Sequence, residues 1–258
     1  MTTAFRVAIS KNHAASFQAL LLEMRSFLVA NRMQQVPQLS SEQFLNLEAP
    51  FMPEARAPDP PPPVALRPPV RRAVSIGINY LSLPPNQGRL SGCINDSDTI
   101  IGLLRSVFRF EDSQIRRLRD DTPGLMPTRK NMMEAFRWLT GGASVGDEMF
   151  LHYSGHGGRQ KDANGDEATG MDDTLIPCDF QTAGQIVDDD LYATLVQSLP
   201  RGCKLWVILD CCHSGTALDL PYKINVADGG KSVTCVKAAA RHTVAPATAD
   251  VIMISGCE

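Results

Sequence analysis

The sequence lacks a disulfide framework. Its 258 residues include seven cysteines, an odd number, and no Cys-x-x-Cys pair. That usage excludes a secreted scaffold stapled by disulfides and points to a reducing compartment. No run of eighteen uninterrupted apolar residues occurs, so no membrane span is expected. Positive charge is not in excess either. A net charge of −3 and a pI near 6.0 leave no basic footprint for nucleic acid. A Gly-x-Ser-x-Gly elbow is missing around Ser154, because residue 152 is histidine, which argues against a serine hydrolase. There is no internal repeat. Arg6 and Lys11 precede the first acid, Glu23, but they are too few for an organellar presequence, and a cytoplasmic location is expected.

What is present divides into three stretches. Residues 14–33 carry Phe17, Leu20, Leu21, Met24, Phe27 and Leu28 at spacings of three and four, one apolar helical stripe. Residues 1–52 are read as an N-terminal extension built on that helix, packing on the main domain and regulatory by partly covering its cleft. Residues 53–70 hold Pro58, Pro60–Pro63, Pro68 and Pro69, a polyproline linker that is neither helix nor central strand. The main domain is read as 71–258. Strands are expected at 73–79, 115–118, 148–153, 204–210 and 250–255, and helices at 96–106, 129–139 and 189–198, with Thr128 capping the second of these. This alternation implies an α/β fold, with a mostly parallel central sheet flanked by helices on both faces. The last expected strand runs almost to Glu258, which leaves it with no covering element after it and suggests a truncated or processed chain.

Chemistry concentrates where two of the strands stop. Val207–Leu209 runs into Asp210-Cys211-Cys212-His213-Ser214-Gly215, and Met149–Tyr153 runs into Ser154-Gly155-His156-Gly157-Gly158. Sites in parallel sheets form beyond the carboxyl ends of the strands. A cysteine attacks as thiolate and needs a base. Cys212 lies further along than Cys211 and is the expected nucleophile. His156, on a glycine-flanked turn, is the expected base. His152, within the strand, and His213, next to the thiol, are the alternatives. Backbone N–H groups of Gly157 and of the cysteine are placed to hold an oxyanion. Vicinal Cys211, Cys212 and His213 lack the spacing of a zinc site. The reaction class is acyl transfer.

An acidic segment follows the histidine motif: Asp162, Asp166, Glu167, Asp172 and Asp173, then Asp188-Asp189-Asp190, then Asp219. It is not an EF-hand, because glycine stands at the fourth loop position and the twelfth is Asp173. A solvated loop, with Asp188 or Asp189 capping the next helix, is the plain reading.

Taken together, Tyr153–Gly158 and Asp210–Gly215 resemble the histidine and cysteine motifs of metacaspases, caspase-like cysteine peptidases of clan CD. Gly77-Ile78-Asn79-Tyr80, Gly92–Asp96, Pro127-Thr128-Arg129, Gly165-Asp166-Glu167 and Leu218–Tyr222 extend the resemblance over about residues 71–258, with type I and kinetoplastid members most alike. The resemblance implies a caspase-like fold, a His156–Cys212 dyad and protein or peptide substrates cleaved after Arg or Lys. Asp96 and Asp210 suit such a basic side chain, although Asp96 also reads as a helix N-cap. Cys93 and Ser154 join the same pocket by family analogy. The resemblance also implies a Ca²⁺ cofactor, held at a separate site by Asp172, Asp188, Asp189 and Asp219 and ordering the loop after Cys212. The resemblance further implies a monomer. Residues 223–249, with Lys223, Lys231, Lys237 and Arg241, read as a loop open to self-cleavage. Family members normally continue past Ser255–Glu258, so part of the cleft is expected to be missing. The other reading is a non-proteolytic calcium-binding or scaffold protein on the same fold.

Overall fold

The computed structural model describes residues 1–51, 67–161, 170–212, 217–227, 232–237 and 248–257. Most of the proline-rich stretch, together with Gly165–Glu167, His213, Lys231 and Arg241, lies outside them. In chain order the helices are α1 (Thr2–Lys11), α2 (Phe17–Ala30), α3 (Cys93–Ser106), α4 (Arg129–Thr140), α5 (Phe180–Ala183) and α6 (Asp188–Leu191). The strands are β1 (Val36–Ser41), β2 (Arg71–Gly77), β3 (Ile115–Arg119), β4 (Glu148–Ser154), β5 (Gly157–Lys161), β6 (Met171–Leu175), β7 (Ile186–Val187), β8 (Lys204–Asp210), β9 (Tyr222–Ala227), β10 (Ser232–Lys237) and β11 (Asp250–Cys257). Among the described residues, no helix is long and apolar enough to cross a membrane.

Eight strands form one sheet in the order β10-β9-β1-β11-β8-β4-β2-β3. The run from β11 to β3 is parallel throughout, whereas β1, β9 and β10 pair antiparallel. Alternation along each strand divides the core in two. Val207 and Leu209 face α4, where Met132, Met133, Phe136 and Leu139 pack. Trp206 and Ile208 face the other way, into Phe5, Phe17, Leu20, Leu21 and Leu28 of α1 and α2 and Ile100 and Leu104 of α3. Helix α4 starts as expected, with the Thr128 hydroxyl accepting the Asn131 N–H. The expected helix 189–198 is α6 followed by a π-helical segment, Tyr192–Gln197.

Residues 1–51 are not an appended arm. Their strand β1 lies inside the sheet, paired with β11 over six residues, Val36 opposite Cys257 through Ser41 opposite Ile252. The apolar stripe of α2 needs a partner face, and Trp206, Ile208 and Ile254 supply it. The strand that the sequence left uncovered, β11, therefore has β1 along its outer side. Sequence reading missed β1 because Val36-Pro37-Gln38-Leu39-Ser40-Ser41 is short, half polar and contains proline. Pro37 is tolerated because pairing to β9 begins only at Leu39, leaving that side of Pro37 open. The expected loop 223–249 is also corrected, since β9 and β10 form a hairpin within it. Lys223 lies in β9, paired on both sides, opposite Ser40 and Val236.

His152 sits in the middle of β4 with no exposure. Its ring is held by the Thr2 hydroxyl at Nε2 and the Ser75 hydroxyl at Nδ1, both at 3.1 Å. Burial lowers its pKa to about 4 from 6.5; the Asp210 charge opposes this and the chain's amino terminus adds to it. A histidine whose folded pKa is depressed contributes stability above its unfolded pKa and loses it as pH falls through the folded value.

Unfolding free energy should thus drop as pH falls from about 6.5 to about 4, and His152→Gln should flatten that part of a denaturation-versus-pH series. Leu39 has no exposure, so Leu39→Ala should cost about 2–5 kcal/mol. A loss below about 0.5 kcal/mol in chemical denaturation would mean that β1 is not an interior strand.

Candidate functional site

Strands β4 and β8 run parallel in register, from Glu148 opposite Lys204 to Ser154 opposite Asp210. Two residues past that last pair stand His156 and Cys212. The two motifs therefore emerge level with each other at the carboxyl edge of the sheet. Cys212 is exposed, while its neighbour Cys211 is buried in the α4-side core. Gly157 packs directly on the nucleophile segment: a Cβ there would lie 1.8 Å from the Cys212 carbonyl oxygen. No other residue permits that approach.

His156 is fixed on three sides. Its Nε2 lies 2.6 Å from the Gly88 carbonyl. A carbonyl only accepts, so Nε2 carries the proton and Nδ1 is left as the basic nitrogen of the neutral ring. The Tyr80 ring lies 4.6 Å from the imidazole, centroid to centroid. The backbone opens the antiparallel β5–β6 ladder, with Ile176 N–H donating to His156 C=O at 3.3 Å. Gly157, opposite Leu175, is the next pair. Bonded and non-bonded pairs alternate, so the Gly157 N–H points out of that ladder.

Cys93, Asp96, Ser154 and Asp210 are brought together beside this edge. The Ser154 hydroxyl donates to Asp96 at 2.9 Å. Burial raises the Asp96 pKa, and the Asp210 charge adds to it. Burial also pushes the Cys93 thiol up to about 11, against the Ser154 contact and with both carboxylates adding. Helix α3 is capped at Gly92, so Asp96 is not its N-cap. Asp210 is more engaged than the sequence indicated. Burial opposes its ionisation, but the Met1 ammonium at 3.0 Å and the Thr2 N–H at 2.7 Å outweigh that and hold its pKa low. Gln35 Nε2 is 3.4 Å away. These α1-side contacts, like the Gly88 carbonyl, carry no local signal in the sequence. Tyr80 had one, in Gly77-Ile78-Asn79-Tyr80, but no role was attached to it.

The acidic residues gather on the second, three-stranded sheet β5-β6-β7 and next to it. Asp172 and Asp188 are buried, at 3% and 2% exposure. Asp188 accepts the N–H groups of Asp173 (2.9 Å) and Asp189 (3.1 Å). Burial first, then the charges of Asp219 and Asp172, nevertheless raise its pKa to about 8. Asp219 has a left-handed backbone, φ 44°. Asp188 thus lies in the field of both Asp172 and Asp219, and Asp189 follows it in the same turn. Their side chains are not drawn into a common ligand shell: among the described residues, no three His, Cys, Asp or Glu side chains form a metal-binding group. Charge and donor type still fit a hard cation. A carboxyl whose pKa is raised by burial and then by its acidic neighbours is one that a divalent ion would favour in its ionised form. Asp190 and Asp173 are taken by Arg129 (2.9 Å) and Arg159 (3.0 Å).

Residues 71–221 match the family model for the metacaspase, peptidase C14 domain. Metacaspase-1 of Mycosarcoma maydis is 51% identical over 154 residues, 59% of this chain and 37% of the relative. Metacaspase-1 of Arabidopsis thaliana is 46% identical over 165 residues, 63% of this chain and 44% of the relative. Metacaspase III c of Phaeodactylum tricornutum is 41% identical over 215 residues, 83% of this chain and 60% of the relative. The chain thus spans between about a third and three fifths of the length of these relatives. With the family model covering more than half of it, and with the histidine and cysteine motifs level at one sheet edge, the chain belongs to the metacaspase family of C14 peptidases.

Proposed function

We infer that this chain is a cysteine endopeptidase that cleaves protein or peptide substrates after Arg or Lys, with Cys212 as nucleophile, His156 as base and Ca²⁺ as cofactor. One observation carries the reading: the in-register end of β4 and β8, which leaves His156 and Cys212 level with each other and Gly157 against the cysteine's own carbonyl. A scaffold protein would have no need of an exposed thiol beside a histidine whose tautomer is fixed by Gly88.

In the proposed reaction, His156 Nδ1 takes the Cys212 thiol proton. The thiolate attacks the carbonyl carbon of the basic residue, and the resulting oxyanion accepts from the Gly157 N–H. As the carbon–nitrogen bond breaks, His156 returns the proton to the departing amine. A water, deprotonated by His156, then cleaves the thioester and restores the thiol. Asp96 and Asp210 supply negative charge for the P1 side chain, which an arginine meets in bidentate fashion. Asp210 already has partners at the start of α1, so Asp96 is the carboxylate whose charge is less compensated.

Asp172, Asp188, Asp189 and Asp219 would hold the calcium ion. When bound, Ca²⁺ supplies a hard cation that stabilises the ionised carboxylates where they are now mutually repelled. The segment after Cys212 leads to Asp219, which is the basis for expecting calcium to order it. The chain is expected to act as a monomer.

Cys212→Ala should abolish calcium-stimulated hydrolysis of a small arginine amide, and a full rate in that variant would refute the nucleophile assignment. Asp96→Asn should lower kcat/KM for the arginine substrate at least about tenfold, because it removes one partner of a buried charge pair. An unchanged preference for Arg over neutral residues would reject that pocket. Calcium about a hundredfold above its dissociation constant should raise Tm by roughly 5–10 °C, and Asp188→Asn should remove the shift. Full calcium stimulation in both Asp172→Ala and Asp219→Ala would remove these residues as ligands.

A further inference from the structure

Two buried phenols hold the peptide group on each side of His156. His156 and Ile176 stand opposite each other where the β5–β6 ladder opens. A complete rung pair there needs His156 N–H to reach Ile176 C=O and Ile176 N–H to reach His156 C=O. The second bond exists but is long, at 3.3 Å. In place of the first, His156 N–H donates to the Tyr80 hydroxyl at 2.8 Å, and that hydroxyl donates onward to Ile176 C=O at 2.7 Å. The Tyr153 hydroxyl donates to His156 C=O at 2.7 Å and accepts from Ile176 N–H at 3.3 Å. The two hydroxyls lie 3.2 Å apart. Both side chains have no exposure. Each phenol is thus inserted into one rung, and together they clamp both polar groups of the His156 backbone.

Tyr80 is itself held under strain. Its φ is +56°, the left-handed region that non-glycine residues seldom enter. The Asp120 carboxylate accepts the N–H groups on either side of it, from Asn79 at 2.9 Å and Leu81 at 2.8 Å. A left-handed turn gripped by a carboxylate is a costly way to place a core aromatic. It becomes intelligible if the product is the position of one hydroxyl. The Gly155 side also leaves no slack, since a Cβ there would meet the Tyr153 hydroxyl oxygen at 2.7 Å. Burial raises both phenol pKa values, so the groups stay protonated and neutral through the range in which the dyad would work.

We propose that Tyr80 and Tyr153 are positioning residues for His156, setting the height and tilt of the imidazole towards Cys212 through the two backbone hydrogen bonds they make to it. The inference rests on the peptidase reading, in which His156 is the base. It assigns the phenols no proton-transfer role, and they touch no substrate.

Tyr80→Phe and Tyr153→Phe keep each ring and remove one hydroxyl. Each should lower kcat for an arginine amide roughly 10- to 100-fold, with KM within about twofold, as expected for a base displaced by a fraction of an ångström to an ångström. The second readout is the pH dependence of Cys212 alkylation by iodoacetamide, followed at that residue by peptide mapping. Both variants should move that profile from the wild-type curve towards that of His156→Ala, with Tm little changed. Wild-type kcat and alkylation profile in both variants would overturn the proposal. So would a rate loss that merely tracks a fall in Tm, or failure of both variants to fold, since the hydroxyls would then be structural. If the wild-type chain cleaves no basic peptide, the peptidase reading fails, while the alkylation profile still decides whether the phenols set the histidine.

Discussion

The in-register parallel pairing of β4 with β8 is the constraint on which the site depends. Both strands are buried on both faces, so their register is enforced by two cores at once. A one-residue slip would turn Trp206 and Ile208 towards α4 and Val207 and Leu209 towards α1 and α2. The same slip would shift Cys212 by about 3.3 Å along the sheet relative to His156. The packing that stabilises the fold and the alignment of the two reactive groups are therefore one quantity. No loop has to be ordered to bring the thiol and imidazole segments level; the strands do that, and the loops only turn them.

The sheet also ties together parts of the chain that are far apart in sequence. Thr2 N–H reaches Asp210, 208 positions away, and β1 closes on β11. Between these contacts the α1 and α2 stripe covers half of one core. Such non-local pairings are slow to form, because the intervening chain must be ordered before they stabilise anything. The consequence for the site is direct. The Met1 ammonium and the Thr2 N–H that lower the Asp210 pKa come from the start of α1, so these contacts beside Cys93 and Asp96 form only when the amino-terminal helices have docked.

Legibility in the sequence followed burial. Strands β4 and β8 could be read almost to the residue, because Met149–Tyr153 and Leu205–Leu209 are uninterrupted apolar runs, and the Thr128 cap was visible from its side-chain chemistry. The parallel order and the two-sided helix cover followed from the alternation of elements. Strand β1 could not be seen: proline and serines mask a strand whose partners, β11 and β9, lie at the other end of the chain. The β9–β10 hairpin was missed because small and polar residues suggested a loop, and only pairing to β1 gives β9 a reason to extend. At the site, residues that act by type, Cys212, His156 and the carboxylates, were visible from their motifs. Those that act through the backbone were not. The Gly88 carbonyl and the Thr2 N–H have no side-chain identity to read, and the two tyrosines act on His156 through hydroxyls whose targets are backbone groups.

His156 leads into the β5–β6 hairpin, and Asp172 and Asp173 lie on its second strand, so the histidine and part of the acidic cluster share one small sheet. Among the described residues, strands β5 and β6 have only the two-residue β7 as a further partner. So small a sheet is marginal by itself and relies on what it docks against. At one end the two phenols fasten its opening rung to the main core. Towards the other end, Asp172 of β6 is buried near Asp188, whose pKa is raised to about 8 by burial first and then by the charges of Asp219 and Asp172. Ile176, the residue after β6, accepts from the Tyr80 hydroxyl and donates to the Tyr153 hydroxyl and the His156 C=O, so the end of β6 is tied directly to the histidine.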